Sequence, residues 1–84
     1  MKELSDQEIL EKFNKGDRKI FDLMIERHHK QVYRLAYKFT RNQKDAEDVS
    51  QDTFMKAYEN MIKHPKEELK IKAWLMTICV NLCR

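Results

Sequence analysis

The chain has 84 residues but only one glycine and one proline. Tight β-turns draw on these residues for a positive or a preset φ, so their scarcity argues against a small all-β fold. Before, between and after Gly16 and Pro65, apolar residues recur every three or four positions, the period of amphipathic helices. The expected fold is therefore all-α, a compact bundle of three main helices plus a short N-terminal one. This length makes one domain with a limited buried core. With 42% hydrophobic and 37% charged residues the chain is both foldable and strongly soluble.

Local signals place the helices. Ser5-Asp6-Gln7-Glu8 is a capping box for the first, with Ile9, Leu10 and Phe13 on its apolar edge and Gly16 as its stop. Asp17 is expected to cap a long second helix ending near Phe39 or Thr40. Its apolar set is Ile20, Phe21, Met24, Ile25, Val32, Leu35, Ala36 and Phe39; its basic set is Arg27, Lys30, Arg34, Lys38 and Arg41, expected on the opposite face. Arg41-Asn42-Gln43 reads as a short turn. A third helix follows from about Lys44 to Ile62, and Pro65 breaks it. Lys63–Lys72 reads as a loop carrying four lysines and two glutamates, before a last helix that starts near Ile71 and runs through Trp74, Leu75, Ile78 and Leu82.

Within the third helix, DAEDVSQDTFMKAYENM sets the acids Asp45, Glu47, Asp48 and Asp52 beside the stripe Ala46, Val49, Thr53, Phe54, Ala57 and Met61. One face can enter a core while another offers carboxylates and Gln51 to a partner; a merely solvated face fits the pattern equally well. The charge balance is uneven. Residues 1–42 hold 10 Lys+Arg against 7 Asp+Glu, and residues 43–84 hold 7 against 7. Any nucleic-acid role must then rest on a local patch rather than on overall charge.

Other chemistries find no foothold. His28 and His29 diverge by about 100 degrees on a helix, so one packs and the other faces solvent. Cys79 and Cys83, at i and i+4, lack the further ligands of a zinc site and read as small packing thiols. There is no Gly-rich phosphate loop, nucleophile elbow or HExxH, and no metal or cofactor is expected. The acids have no neighbour that would make a catalytic pair, so the chain is read as a non-enzyme. No apolar run approaches the roughly 18 residues of a membrane span and no secretory signal precedes the fold, so a cytoplasmic protein without membrane insertion is expected. Trp74, at a helix start after a lysine loop, has two compatible readings: a core anchor and a platform for an unstacked base.

The segment Asp45–Ala57 resembles the signature of bacterial sigma factors of the extracytoplasmic-function (ECF) group. KGDRKIFDLMIERHHKQVYRLAYKFT upstream, and Ala73-Trp74-Leu75 with Asn81 downstream, extend the resemblance from about Lys15 to Arg84. It implies region 2 of such a factor over residues 1–84, cut within its last helix. Sigma factors bring core RNA polymerase to promoters in transcription initiation. Region 2 grips a coiled coil of the β′ subunit, reads the minus-ten element on the non-template strand and helps to melt the duplex. Carried over by position, the polymerase-binding residues are Asp48, Gln51, Asp52, Phe54 and Met55. The DNA-binding residues fall on the loop and the helix after it: Lys63, Lys66, Lys70, Lys72, Trp74, Thr77 and Asn81.

The sequence departs from the family where Ile71, Lys72 and Ala73 stand in place of Phe-Arg-Thr. It departs again where Met76, Thr77, Ile78 and Cys79 stand in place of Tyr-Arg-Ile-Ala. The last helix thereby lacks an arginine and an aromatic, and weak DNA binding by this piece alone is expected. The resemblance also implies an anti-sigma factor as a partner, which could hold the protein near a membrane. The rival reading is a helical interaction module sequestered by such an inhibitor, without promoter binding of its own. A helix-turn-helix repressor fits less well, since no short Gly-containing turn joins two helices.

Overall fold

The computed structural model describes residues 3–84. Among these the elements run α1 (Asp6–Asn14), a single 3-10 turn (Arg18–Ile20), α2 (Phe21–Thr40), α3 (Gln43–Lys63) and α4 (Ile71–Cys83), with no strand. The all-α expectation holds.

The ends of α1 follow from its sequence. Ser5 Oγ accepts the Glu8 N–H at 3.1 Å, and the Glu8 carboxylate accepts the Ser5 N–H at 3.1 Å, which completes the capping box. At the other end Gly16 adopts φ +111°, which strains any residue with a Cβ. Its N–H reaches Phe13 O and the next N–H, of Asp17, reaches Lys12 O, both at 3.0 Å. This pairing closes the helix in a Schellman motif.

The expected role of Asp17 as the cap of α2 does not hold. Its N–H is committed to the end of α1, and its side chain makes no capping hydrogen bond. The chain instead passes through the 3-10 turn and α2 starts four residues later, at Phe21. The α2–α3 turn is as short as expected. Arg41 takes a left-handed conformation, φ 56°, and Asn42 Oδ1 caps α3 by accepting the Asp45 N–H at 3.0 Å.

α2 and α3 form an antiparallel pair that α4 packs across, and α1 closes one end. Ile9, Leu10 and Phe13 of α1 are fully buried with Met24, Val32 and Ala36 of α2, Ala46 and Ala57 of α3 and Leu75 and Cys79 of α4. Phe13, Phe21 and Tyr58 pack edge to face or tilted, with centroids 5.1–5.9 Å apart, joining α1, α2 and α3. Fully burying one such side chain stabilises by roughly 1.5–3 kcal/mol, so this cluster is a large part of a small domain's stability.

Two expectations for α2 need correction. Phe39 was placed with the apolar set, yet it is 52% exposed, because the buried side of α2 ends at Ala36 and its last turn overhangs the bundle. Arg27 was placed in the solvated basic stripe, yet it is half-buried. Its Nη1 lies 3.0 Å from Asp6 Oδ1, so the acid of α1 draws it in. The same carboxylate meets His28 Nε2 at 3.1 Å, and His28 is buried while His29 is exposed, the division expected of an adjacent pair.

Candidate polymerase and nucleic-acid faces

α3 splits its motif residues by register. Asp48, Gln51, Asp52 and Met55 fall at i, i+3, i+4 and i+7 and are all exposed, Met55 by 61%. They form one outward face. Phe54, assigned with them from the resemblance, is turned toward the bundle and only 5% exposed. The expected stripe Ala46, Thr53, Phe54, Ala57 and Met61 is buried, and Val49 is half-buried. Ser50 is buried as well, a position that the apolar pattern does not mark.

The second group gathers around α4. Trp74 and Asn81 line one shallow cleft together with Lys56 and Asn60 of α3. Trp74 is half-buried and both of its sequence readings remain open to it: it packs on the core cluster, and it edges this cleft. Thr77 is exposed on the same side of α4, and its hydroxyl donates back to Ala73 O at 3.0 Å. Lys56 and Asn60 escaped sequence reading because they belong to a different helix. The one available signal was the i, i+4, i+7 spacing of Lys56, Asn60 and Lys63, which puts all three on one side of α3.

The lysines do not act as one set. Lys63 ends α3 and Lys72 sits in the first turn of α4, so the segment without helix is His64–Lys70. Lys63 and Lys70 are exposed. Lys72 is exposed too, but it stands two positions before Trp74 and therefore on nearly the opposite side of α4. Lys66 is engaged: its Nζ donates to Asn60 Oδ1 at 3.1 Å and to His64 O at 3.3 Å, and lies 5.9 Å from the Trp74 ring centroid.

The loop is further held from α1. Gln7 Nε2 donates to Glu67 O at 2.8 Å and Asn14 Nδ2 to Lys66 O at 2.7 Å. It is a tethered loop, not the freely flexible one that a run of charged residues implies.

The thiols are both free. Cys79 Sγ donates to Val32 O at 3.8 Å across the core. Burial pushes this thiol up from 9.0 to about 11, and Cys83 nearby adds to the rise. It is thus a protonated packing group rather than a metal ligand or nucleophile. Among the described residues no group of three His, Cys, Asp or Glu side chains could hold a metal ion, and no helix is long and apolar enough to cross a membrane.

Comparison with known proteins gives a consistent answer. The sigma-70 region 2 family matches residues 24–84. An ECF RNA polymerase sigma factor, SigM of Mycobacterium tuberculosis (strain ATCC 25618 / H37Rv), is 37% identical over 81 residues, covering 96% of this chain and 41% of that protein. The ECF sigma-E factor of Haemophilus influenzae is 33% identical over 82 residues, 98% of this chain and 42% of its own. The RNA polymerase sigma-H factor of Pseudomonas aeruginosa is 28% identical over 79 residues, 94% of this chain and 40% of its own. The chain thus spans about two-fifths of the length of these relatives. No solved structure matches it at a significant level. The acidic face of α3, the helix order and these matches agree: the chain belongs to the sigma-70 region 2 family, in its ECF sigma-factor group.

Proposed function

We propose that this domain acts in transcription initiation, gripping the β′ coiled coil of core RNA polymerase with α3 and the minus-ten non-template strand with α4 and the loop before it. The observation that carries the first half is the shared outward face of Asp48, Gln51, Asp52 and Met55 over the buried Phe54. Two exposed carboxylates can pair with arginines of a partner helix, while the amide and thioether fill the space between. The family match supports this assignment of roles.

The second half rests on the cleft shared by Trp74, Asn81, Lys56 and Asn60. An aromatic edge can support an unstacked base, and side-chain amides can meet its pairing edge. The exposure of Lys63 and Lys70 supports a role for them in holding phosphates. An anti-sigma factor that covered either face would switch the domain off.

The test is a titration of core polymerase with the parent chain and with Asp48→Arg and Asp52→Arg. Each substitution replaces a charge pair by like charges and should weaken binding by a few kcal/mol while the far-ultraviolet spectrum stays helical. Undiminished binding in both variants would remove α3 from the interface.

A further inference from the structure

The outward face of α2 carries one dipeptide pattern three times: His29-Lys30, Tyr33-Arg34 and Tyr37-Lys38, a ring followed by a cation at a four-residue period. On a helix this period sets the rings in one row and the cations in a second row beside it, each step about 6 Å along the axis. We propose that this face binds single-stranded nucleic acid, with bases against the rings and phosphates along the cations. It is a second surface, apart from the α4 cleft, and it does not rest on the reading of α3 or α4 above.

The rings are nearly parallel. His29 and Tyr33 lie 27° apart with centroids at 6.4 Å, and Tyr33 and Tyr37 lie 32° apart at 6.3 Å. The core rings Phe13, Phe21 and Tyr58 meet instead at 55–87°. Tyr33 is half-buried against the core cluster, which fixes the middle ring, while His29 and Tyr37 are exposed, Tyr37 by 44%. Rings held in this way suit flat bases, because little side-chain freedom is left to lose on stacking.

The cations are unpaired. Between Glu26 and Asp45 the chain has no acid and six cations, Arg27, Lys30, Arg34, Lys38, Arg41 and Lys44. Arg27 is held by Asp6. The other five are exposed, and among the described residues none of them is in a salt bridge. Five unpaired cations around the end of α2 exceed the net +3 of the whole chain, a local charge that a polyanion matches. Tyr33, Arg34, Tyr37 and Lys38 alone line one shallow cleft, so the two rows meet there.

The two rows together select the occupant. An anionic membrane would use the cations but calls for a continuous apolar ridge, and here charges alternate with rings. A duplex offers phosphates and keeps its base faces stacked on one another. A single strand offers both rows at once. No amide or acid lines the cleft to read a base edge, so binding without base preference is expected.

The test is a titration of the isotope-labelled chain with a short oligothymidylate, followed by amide chemical shifts, and by anisotropy of a labelled oligonucleotide at two salt concentrations. Amides of residues 29–41 should shift. Tyr37→Ala should bind about fivefold more weakly or worse, and Tyr37→Phe like the parent, because the ring face and not the hydroxyl makes the contact. Arg34→Ala with Lys38→Ala should lower the logarithmic salt slope by about 1.4. All three side chains are exposed, so the variants should melt with the parent. Oligouridylate should bind like oligothymidylate.

Tyr37→Phe as weak as Tyr37→Ala, or parent-like binding of both Tyr37→Ala and the doubly substituted chain, overturns the inference. Shifts confined to residues 63–81 would place the strand in the α4 cleft alone, which overturns this surface and leaves the earlier reading intact. A preference of about tenfold for either oligonucleotide would need contacts to the sugar that this face lacks, and would overturn it as well. Binding to anionic vesicles without binding to oligothymidylate would give the face to a lipid surface instead.

Discussion

Lys66 Nζ stands 5.9 Å from the centroid of the Trp74 ring while donating to Asn60 Oδ1 at 3.1 Å. One ammonium thereby links the loop, the start of α4 and the end of α3. A lysine held in this way orders the cleft beside it, whereas Lys63 and Lys70 remain exposed.

The lysines should therefore separate in their salt dependence. Each phosphate-contacting lysine contributes about 0.7 to the logarithmic salt slope for single strands. Lys63→Ala and Lys70→Ala should each lower the slope by about that amount. Lys66→Ala should leave the slope nearly unchanged and alter Trp74 fluorescence instead. Single-stranded non-template minus-ten oligonucleotides should bind better than duplex, because a base in a duplex must first be unstacked, at a few kcal/mol. Fluorescence titration at two salt concentrations measures the slopes, the Trp74 emission and the strand preference. Equal slopes for the three variants would show that Lys66 also meets phosphate.

The tether from α1 gives a second prediction. Gln7→Ala with Asn14→Ala removes both side-chain bonds to the loop carbonyls of Glu67 and Lys66. At about 0.5–1 kcal/mol for each such bond the global fold should survive. The loop should loosen, and acrylamide quenching of Trp74, the only tryptophan of the chain, should rise. Unchanged quenching would mean that the loop is held without α1.

Asp6 is the hub of the α1–α2 junction, meeting Arg27 Nη1 at 3.0 Å and His28 Nε2 at 3.1 Å. It also lies in the first turn of α1, where a negative charge is favoured by the helix dipole. Asp6→Asn keeps the shape and removes the charge. Hydrogen bonds to charged groups contribute about 1.5–3 kcal/mol, and the partial exposure of Asp6 points to the lower end. Urea denaturation should show a loss of about 1–2 kcal/mol; a loss below a few tenths would remove Asp6 from the junction.

Cys79 makes the alkaline limb of stability testable. Burial raises its thiol from 9.0 to about 11 in the native state. Below pH 9 both states hold the proton and the difference is silent. Between pH 9 and 11 the unfolded chain releases it while the native state keeps it. The unfolded state then binds fewer protons, and stability falls as pH rises. The full effect is about 2–3 kcal/mol at the upper end. Cys79→Ala should be less stable at neutral pH, because it leaves a small cavity, but should lose less between pH 9 and 11. Identical alkaline slopes in parent and variant would show that Cys79 titrates normally. The same burial predicts that iodoacetamide at pH 8 modifies Cys83 well before Cys79.

The sequence by itself determined the helices and most of the core. Ser5, Glu8, Gly16 and Pro65 act through local backbone geometry, and a 3.6-residue period marks burial wherever a helix packs along its whole length, as α3 does. The acid face of α3 was legible in part: the helical spacing marked Asp48, Gln51 and Asp52 as an exposed group, while Met55 was added by the family resemblance.

The tertiary structure decided what depends on a second element. Phe39 is exposed because no helix covers the last turn of α2, and Arg27 is drawn inward because Asp6 of α1 lies above it. Asp17 does not cap α2 because a 3-10 turn, Arg18–Ile20, separates it from the helix start at Phe21. Lys56 and Asn60 join Trp74 and Asn81 only where helices distant in sequence pack side by side. A cleft has no signature along one chain segment, because its two walls are brought together by the burial of other residues.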